Sequence, residues 1–368
     1  MPRTQTRLLK LITSQRRGLL LDIARGVLLV LSLPYLLAVA ARNLYYDLIR
    51  RAARRIACPV ISIGNITVGG TGKTPMVAHL THLLVARRRH VAVVLRGYKG
   101  KTIQFDDEQR DRALTHWRIE SDEAMVLKRL CPRAAILIDP DRVRGARRAV
   151  AGGANVIVLD DAFQHRRIAR DLNIVLVDAT RPFGYGHLLP RGFLREPVRS
   201  LRRADLIVLT RSNRIDESNR MLLTATLRRT SGGKPVARAK HEVEGFVDIR
   251  GRLVPEADPL AMRAVIFAGI ANFDSFRQSV EQLGVEVLAA YEYPDHHDYS
   301  REEIEAFPDV AANVDANVLL TTEKDAVKLV GRWTDEGCRL LTVRLRIDLD
   351  ADSERLFNDA IDAVLTGR

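Results

Sequence analysis

Six short apolar runs, rich in valine and isoleucine, alternate with helical stretches between residues 59 and 211. Each run is continuously apolar, which is the pattern of a strand buried on both faces. Such strands belong to parallel sheets that carry helices on each side. The pattern therefore predicts an α/β fold with a mostly parallel sheet flanked by helices, with strands at 59–65, 91–98, 134–140, 155–161, 173–179 and 205–211.

Polar side chains close several of these runs. In doubly wound sheets, ligands bind at the carboxyl ends of the strands. We therefore expect the chemistry of the protein along one edge of the sheet, at the run-closing residues Asn65, Arg96, Asp139, Asp160, Asp161 and Asp178.

The first run leads into a glycine-rich turn and then a helical stretch, "GNITVGGTGKTP". A phosphate-binding loop reads G-x-x-x-x-G-K-[ST], and here Thr67 stands at the first glycine position, which is tolerable if its φ is negative. Small residues let backbone N–H groups point at phosphate oxygens. Lys73 can then reach the β- and γ-phosphates, and the Thr74 hydroxyl can ligate Mg²⁺. The sequence predicts a P-loop nucleotide site formed by Thr67, Val68, Gly69, Gly70, Thr71, Gly72, Lys73 and Thr74.

A second segment, "NVIVLDDAFQHRR", supplies the acids that such a site needs. Asp160 and Asp161 follow a buried run, which is the expected place for a metal-holding aspartate. Gln164 and His165 can orient water, acceptor or phosphate. GTPases read the guanine base with an N-K-x-D motif. The run ends "LTRSN" and "TTEKD" do not match that motif, so ATP is favoured over GTP. From these residues alone, a P-loop ATPase or switch protein that transfers phosphate to no further acceptor is one possible interpretation.

The first 57 residues are basic and contain one apolar stretch. They hold eleven basic and two acidic residues, most of the net charge of +13. Sixteen uncharged residues, 26–41, lie between Arg25 and Arg42. A spanning helix needs about 20 apolar residues, so the stretch favours a helix lying in the headgroup layer of an anionic membrane. A spanning helix and a helix packed on its own domain are the alternatives, and no nucleic acid partner is indicated.

The character of the chain changes near residue 232, and a second α/β pattern follows. We expect an N-terminal membrane-associated segment at 1–57, a P-loop domain at 58–232, a linker with a possible two-stranded ribbon at 233–262, and a smaller α/β domain at 263–368. The three cysteines are scattered, which fits a reducing compartment.

Eight motifs occur in one order, and together they resemble the tetraacyldisaccharide 4'-kinase family: "GNITVGGTGKTP", "LRGY", "SDEA", "DDAFQH", "LLPRGFLREP", "FAGIANFDSF", "YPDHHDY" and "TTEKDAVK". The resemblance implies transfer of the γ-phosphate of ATP, with Mg²⁺, to the 4'-hydroxyl of a tetraacyldisaccharide 1-phosphate. The product is lipid IVA of lipid A biosynthesis. The implied location is the cytoplasmic face of the inner membrane of a Gram-negative bacterium, and we expect a monomer.

The resemblance also implies roles for residues. Lys73 is the P-loop lysine, and Gln164 and His165 match the Q-H pair that follows the paired acids. The implied metal ligands are Thr74, Asp160, Asp161 and Glu196.

Further implied roles concern the acceptor and the phosphate. Asp122 is placed at the acceptor hydroxyl, with His296 as its partner from the second domain. Closure of the two domains is then expected to form this pair, with a hinge near 234–260. Arg142 is implied to contact phosphate, and Arg144 is an equal alternative.

Overall fold

The computed structural model describes residues 12, 18–49, 53–97, 121–270, 272–334 and 338–367. These residues form nine α-helices and eleven β-strands. They divide into two compact units. The first unit contains the described residues of 1–119, 131–241 and 347–368, and the second contains those of 120–130 and 242–346.

The first unit is built on a parallel sheet whose strands lie in the order β3-β2-β4-β1-β5-β6-β7. Strand β1, which precedes the glycine-rich turn, is central, with Ile61 paired to Leu172 and Ser62 to Leu159. The strands are β1 (Val60–Asn65), β2 (Val91–Leu95), β3 (Ala135–Ile138), β4 (Val156–Leu159), β5 (Leu172–Asp178), β6 (Leu206–Thr210) and β7 (Val236–Asp248). Residues 236–241 of β7 belong to the first unit, and the rest of that strand belongs to the second.

Each of the six apolar runs forms a strand, which confirms the predicted sheet. Strands β1, β2, β4 and β6 are buried at every residue. Continuous runs of branched apolar side chains stabilise such strands because helices cover both faces of the sheet. The helices of this unit are α1 (Leu19–Leu48), α2 (Lys73–Ala86), α4 (Arg142–Ala151), α5 (Glu217–Ser231) and α9 (Ala351–Thr366).

Helix α1 is longer than the apolar stretch that predicted it. Its 30 residues extend for about 45 Å, and by length and composition it can cross a membrane, since an 18-residue stretch of it has a mean hydropathy of 2.0. Ser32 and Val39 are its buried residues, whereas Leu20, Val30 and Leu37 are 83%, 63% and 69% exposed. One narrow face therefore packs on the first unit, and the other faces present apolar side chains that suit lipid.

The second unit contains four further strands, in the order β11-β10-β8-β9, and these pairings are parallel. Its strands are β8 (Arg263–Ala268), β9 (Glu286–Glu292), β10 (Val318–Thr322) and β11 (Arg339–Leu349), and its helices are α3 (Asp122–Leu130), α6 (Phe273–Glu281), α7 (Arg301–Asn313) and α8 (Glu323–Leu329). Strand β10 ends where Thr322 caps α8, because its side chain accepts a hydrogen bond from Asp325 N.

The two units do not follow the expected boundaries along the chain. Helix α3 lies inside the expected domain 58–232, yet it clusters with the second unit because it packs against α8. Helix α9 lies inside the expected domain 263–368, yet it belongs to the first unit, where Ser353 accepts a hydrogen bond from Arg238 N at 2.7 Å. Where independently folding domains begin and end therefore stays a prediction.

The segment expected to be a linker, 233–262, contains strand β7 and a tight turn. Asp248 holds this turn by accepting hydrogen bonds from the backbone N–H groups of Arg250 and Arg252. The expected two-stranded ribbon is represented by one antiparallel bridge, between Val247 and Leu253.

Candidate active site

The loop between β1 and α2 is held by hydrogen bonds to Thr71. Asn65 Nδ2 donates to Thr71 Oγ1 at 2.9 Å, and Thr210 Oγ1 donates to Thr71 O at 3.0 Å. Gly72 has a φ of 82°, which a glycine adopts without strain. A Cβ at Gly72 would lie 2.4 Å from His241 Nε2. The loop therefore needs glycine at this position for two separate reasons.

The first half of the loop pairs with a second segment of the first unit. Val68 N donates to Phe193 O at 2.7 Å, and Arg195 N donates to Ile66 O at 2.8 Å. Thr67 is not among the residues with positive φ, so threonine fits where the usual pattern has glycine. This pairing places Arg195 beside the phosphate loop.

Lys73 and Arg195 both reach the carboxylate of Asp161. Lys73 Nζ lies 3.7 Å from Asp161 Oδ1, and Arg195 Nη1 donates to the two Asp161 oxygens at 2.8 and 2.9 Å. Burial alone would raise the pKa of Asp161, but the charges of Lys73 and Arg195 together hold it below its ordinary value. Asp161 is therefore an anion at neutral pH, and its charge stabilises the positive charges of Lys73 and Arg195.

Arg142 and Arg144 lie in different environments. Arg142 is 2% exposed, and its Nη2 donates to Asp160 O at 3.0 Å. Burial lowers the pKa of Arg142, against the opposing charges of Asp160 and Asp161. The Arg144 side chain is 62% exposed and pairs with Asp139 at 2.7 Å. Asp160 and Asp161 form the acidic turn. The contacts thus favour Arg142 as the arginine beside it, and the contact of Arg142 with phosphate stays a prediction.

Gln164 and His165 follow the acidic turn, and Gln164 contacts β1. Gln164 Nε2 donates to Asn65 O at 2.7 Å. Burial, aided by the charges of Arg142 and Arg170, lowers the pKa of His165 to about 4. Its Nε2 is buried and has no hydrogen-bond partner among the residues that the structure describes. His165 is therefore a neutral imidazole at physiological pH.

Glu196 is engaged elsewhere than at the acidic turn. Its side chain is fully buried and pairs with Arg42 of α1 and with Arg203, the latter at 2.5 Å. Asn43 of α1 also approaches it, at 3.4 Å. These contacts tie Glu196 to the N-terminal helix, and its role as a metal ligand stays a prediction.

The donor atoms at the acidic turn suit magnesium. Thr74, Asp160 and Asp161 offer hydroxyl and carboxylate oxygens, which Mg²⁺ prefers. In the described parts of the chain, no group of three or more histidine, cysteine or acidic side chains is arranged so that it could hold a metal ion by itself. Mg²⁺ bound to nucleotide usually takes one or two carboxylates and completes its shell with phosphate and water, so these residues fit it.

The second unit holds the predicted acid–histidine pair. Asp122, at the start of α3, lies 3.2 Å from His296 through Asp122 Oδ2 and His296 Nδ1. Burial raises the pKa of Asp122, but the hydrogen bond with His296 and the charge of Lys328 outweigh it and lower the pKa. The expectation that closure of two domains forms this pair is wrong, because α3 belongs to the same unit as His296.

Two residues of the site escaped the sequence analysis. His241, in β7, packs on Gly72, and burial with the nearby charge of Arg211 lowers its pKa to about 3. Arg170 donates to the carbonyl oxygens of Phe163 and His165 at 3.1 and 2.8 Å, and so holds the loop after the paired acids. Neither residue lies in a motif whose spacing predicts a role, since both act through folded contacts.

Comparisons with known proteins identify the family of this chain. The chain matches the family LpxK, tetraacyldisaccharide-1-P 4'-kinase, over residues 24–366. The tetraacyldisaccharide 4'-kinase of Anaeromyxobacter dehalogenans (strain 2CP-C) is 38% identical over 339 residues, which cover 91% of this chain and 89% of that protein. The protein of that name from Geobacter metallireducens is 40% identical over 310 residues, covering 83% and 88%.

A solved structure shares the fold. The crystal structure of LpxK from Aquifex aeolicus in complex with ATP superimposes with a TM-score of 0.73 at 28% identity, covering 93% of this chain and 99% of that one. Matches of this identity and coverage show the family, and the chain belongs to the tetraacyldisaccharide 4'-kinase family.

Proposed function

We propose that this protein transfers the γ-phosphate of ATP to the 4'-hydroxyl of a tetraacyldisaccharide 1-phosphate and so produces lipid IVA. The observation that carries the proposal is the phosphate loop, where Lys73 of the loop and Arg195 of the neighbouring segment both face Asp161. The Asp122–His296 pair of the second unit adds a group suited to an alcohol acceptor. The activity is that of an ATP-dependent phosphotransferase, the activity for which the relatives are named.

Phosphoryl transfer depends on positioning and on neutralising charge more than on covalent chemistry. In our proposal the backbone N–H groups of the loop cradle the phosphates, and Lys73 carries charge that develops on the transferred group. Arg142 adds a second positive charge beside Asp160. Mg²⁺, held by Thr74, Asp160 and Asp161, would supply further neutralisation of the phosphate oxygens. Gln164 ties the acidic turn to β1 through its hydrogen bond to Asn65 O, and His165 follows it as a neutral imidazole.

Asp122 acts on the acceptor. As an ionised carboxylate it accepts a hydrogen bond from the sugar hydroxyl and takes its proton as the phosphate is transferred. His296 fixes the orientation of that carboxylate through its ring nitrogen. A double substitution to alanine is therefore expected to lose less turnover than the product of the two single losses. Fully multiplicative losses in folded proteins would contradict this coupling.

The N-terminal helix gives the enzyme a membrane location. Its exposed apolar side chains suit acyl chains, and the basic residues of the first 57 positions suit an anionic leaflet. We place the protein at the cytoplasmic face of the inner membrane of a Gram-negative bacterium, as a monomer.

The deciding experiment follows labelled γ-phosphate from ATP to tetraacyldisaccharide 1-phosphate in detergent micelles. A labelled bisphosphate lipid is expected with the unaltered protein and not with Lys73→Ala, which should keep its thermal stability. Lys240→Ala is the matched control, because Lys240 is 46% exposed and pairs only loosely, at 3.9 Å, with Asp348. Hydrolysis of ATP without labelled lipid would refute the proposal in favour of a P-loop ATPase.

A further inference from the structure

Helix α8 carries two lysines, Lys324 and Lys328, four residues apart and therefore on one face. Lys328 is the more buried, with a side chain 7% exposed. Its Nζ lies 3.4 Å from Asp122 Oδ2 and 3.0 Å from Asp325 Oδ1, and it donates to His297 O at 2.9 Å. The ammonium group is therefore held at the Asp122 carboxylate by a fully buried second acid and a backbone carbonyl.

Lys324 contacts the histidine of the acid–histidine pair. Its Nζ lies 3.1 Å from His296 Nε2 and donates to Asp295 Oδ1 at 2.8 Å. An ammonium group offers only donors, so the contact requires His296 Nε2 to act as the acceptor. The ring proton then sits on Nδ1, from which it is donated to Asp122. Lys324 thus selects the tautomer in which His296 can hold the carboxylate.

The contacts of Asp122 are unevenly shared between its two oxygens. Among the described residues, His296 and Lys328 contact Asp122, and both contacts are made to Oδ2. Oδ1 accepts none of them. The two groups therefore hold the carboxylate by one oxygen and leave the other to face an acceptor.

We propose that Lys328 and Lys324 are positioning residues for phosphoryl transfer, the first holding the Asp122 carboxylate and the second fixing the tautomer of His296. The proposal rests on the proposed function, since it concerns the group that binds the acceptor hydroxyl. Both lysines act through Asp122 and His296, and neither needs to touch a substrate.

A test must separate an electrostatic effect of Lys328 on Asp122 from a role of Lys328 in packing, and several other charged groups lie on the same elements. The loop before α7 contributes Asp295, His296 and His297, whereas α8 contributes Glu323, Lys324, Asp325 and Lys328. Removing Lys328 takes away the nearest cation, so the pKa of Asp122 should rise and the acidic limb of the kcat/KM profile should move to higher pH. A role confined to packing predicts lower stability with no movement of that limb.

The variants are Lys328→Met, Lys328→Arg and Lys324→Met, with Lys128→Met as the matched control. Lys128 lies on α3 with Asp122 but is exposed. The readouts are kcat, the KM values for ATP and lipid, the pH profile and the thermal midpoint. We expect Lys328→Met to lower kcat by roughly tenfold to a hundredfold with little change in the KM for ATP. Lys328→Arg should restore most of the activity. Lys324→Met, at a less buried site, should lower kcat without unfolding the protein.

The outcomes separate this inference from the proposed function. If Asp122→Asn and His296→Gln keep full activity, the acceptor role of the pair is wrong. If those two variants lose activity while Lys328→Met and Lys324→Met match Lys128→Met, the inference about the lysines alone is overturned. A loss in Lys328→Met that comes with an unmoved acidic limb, and is not rescued by arginine, also overturns it.

Discussion

The substitution Glu196→Gln separates two roles for the buried acid of the "LREP" motif. As a metal ligand, Glu196 would govern the Mg²⁺ requirement of the reaction. In the structure, its carboxylate is instead paired with Arg42 of α1 and with Arg203. Glutamine keeps the shape of the side chain but removes the charge, so it leaves both guanidinium groups without an anionic partner.

The expected cost follows from burial of the three groups. The Glu196 side chain is 0% exposed, whereas those of Arg42 and Arg203 are 37% and 22% exposed. Breaking a buried ion pair costs about 3–5 kcal/mol, and solvent screens the share of the more exposed Arg42. We therefore expect Glu196→Gln to lower the free energy of unfolding by roughly 2–4 kcal/mol. In a unit of this size, that corresponds to a fall in Tm of roughly 5–15 °C.

The assay combines thermal unfolding in detergent micelles with a Mg²⁺ titration of phosphoryl transfer. Glu217→Gln is the control, because Glu217 is 55% exposed and pairs with Arg220 at the surface of α5, where a pair contributes at most about 1 kcal/mol. A Tm equal to that of the control, with a raised Mg²⁺ requirement, would refute the anchoring role and support metal binding.

Three further predictions follow from the fold. Gly72→Ala should destabilise the first unit by roughly 2–5 kcal/mol, because it adds a side chain at positive φ and against His241; Gly70→Ala, whose Cβ would meet nothing within 4 Å, should leave the Tm nearly unchanged, and equal Tm values would contradict the steric argument. His165, with a pKa lowered to about 4, binds more protons when unfolded, so stability should fall as pH drops from about 6.5 to 4; urea titrations should show a fall smaller by at most roughly 3 kcal/mol in His165→Gln, and equal falls would count against a buried neutral ring. Serine at the exposed positions Leu20, Val30 and Leu37 should reduce binding to anionic vesicles with Tm unchanged, whereas Leu222→Ser, on α5, should not; vesicle binding as strong as that of the unaltered chain would argue against membrane contact through α1.

Local patterns predicted the elements whose cause is local. The valine- and isoleucine-rich runs form buried strands because continuous apolarity suits only a sheet covered on both faces. The phosphate loop was predictable because Gly72, Lys73 and Thr74 are adjacent in the chain. Thr67 was the departure from the pattern, and its φ is not positive.

Contacts between distant segments could not be predicted in this way. Helix α3 is a nine-residue amphipathic helix, and its sequence does not reveal that its partner is α8, roughly 200 residues further along the chain. Glu196 was expected at the metal because the family resemblance implied it, whereas in the structure Arg42 pairs with it across 154 positions. Lys324 and Lys328 stand in a recognised motif, and only the fold brings them to the acid–histidine pair.

The path of the chain through its two units has a consequence for biosynthesis. The second unit is assembled from the described residues of 120–130 and 242–346, and the first is completed by α9. On the ribosome, Asp122 therefore emerges more than a hundred residues before the rest of its unit. A fragment beginning at residue 242 would lack α3, and one ending before residue 351 would lack the last helix of the first unit. Neither half can be obtained by a single cut, so expression of this protein in pieces requires a circularly permuted or internally shortened chain.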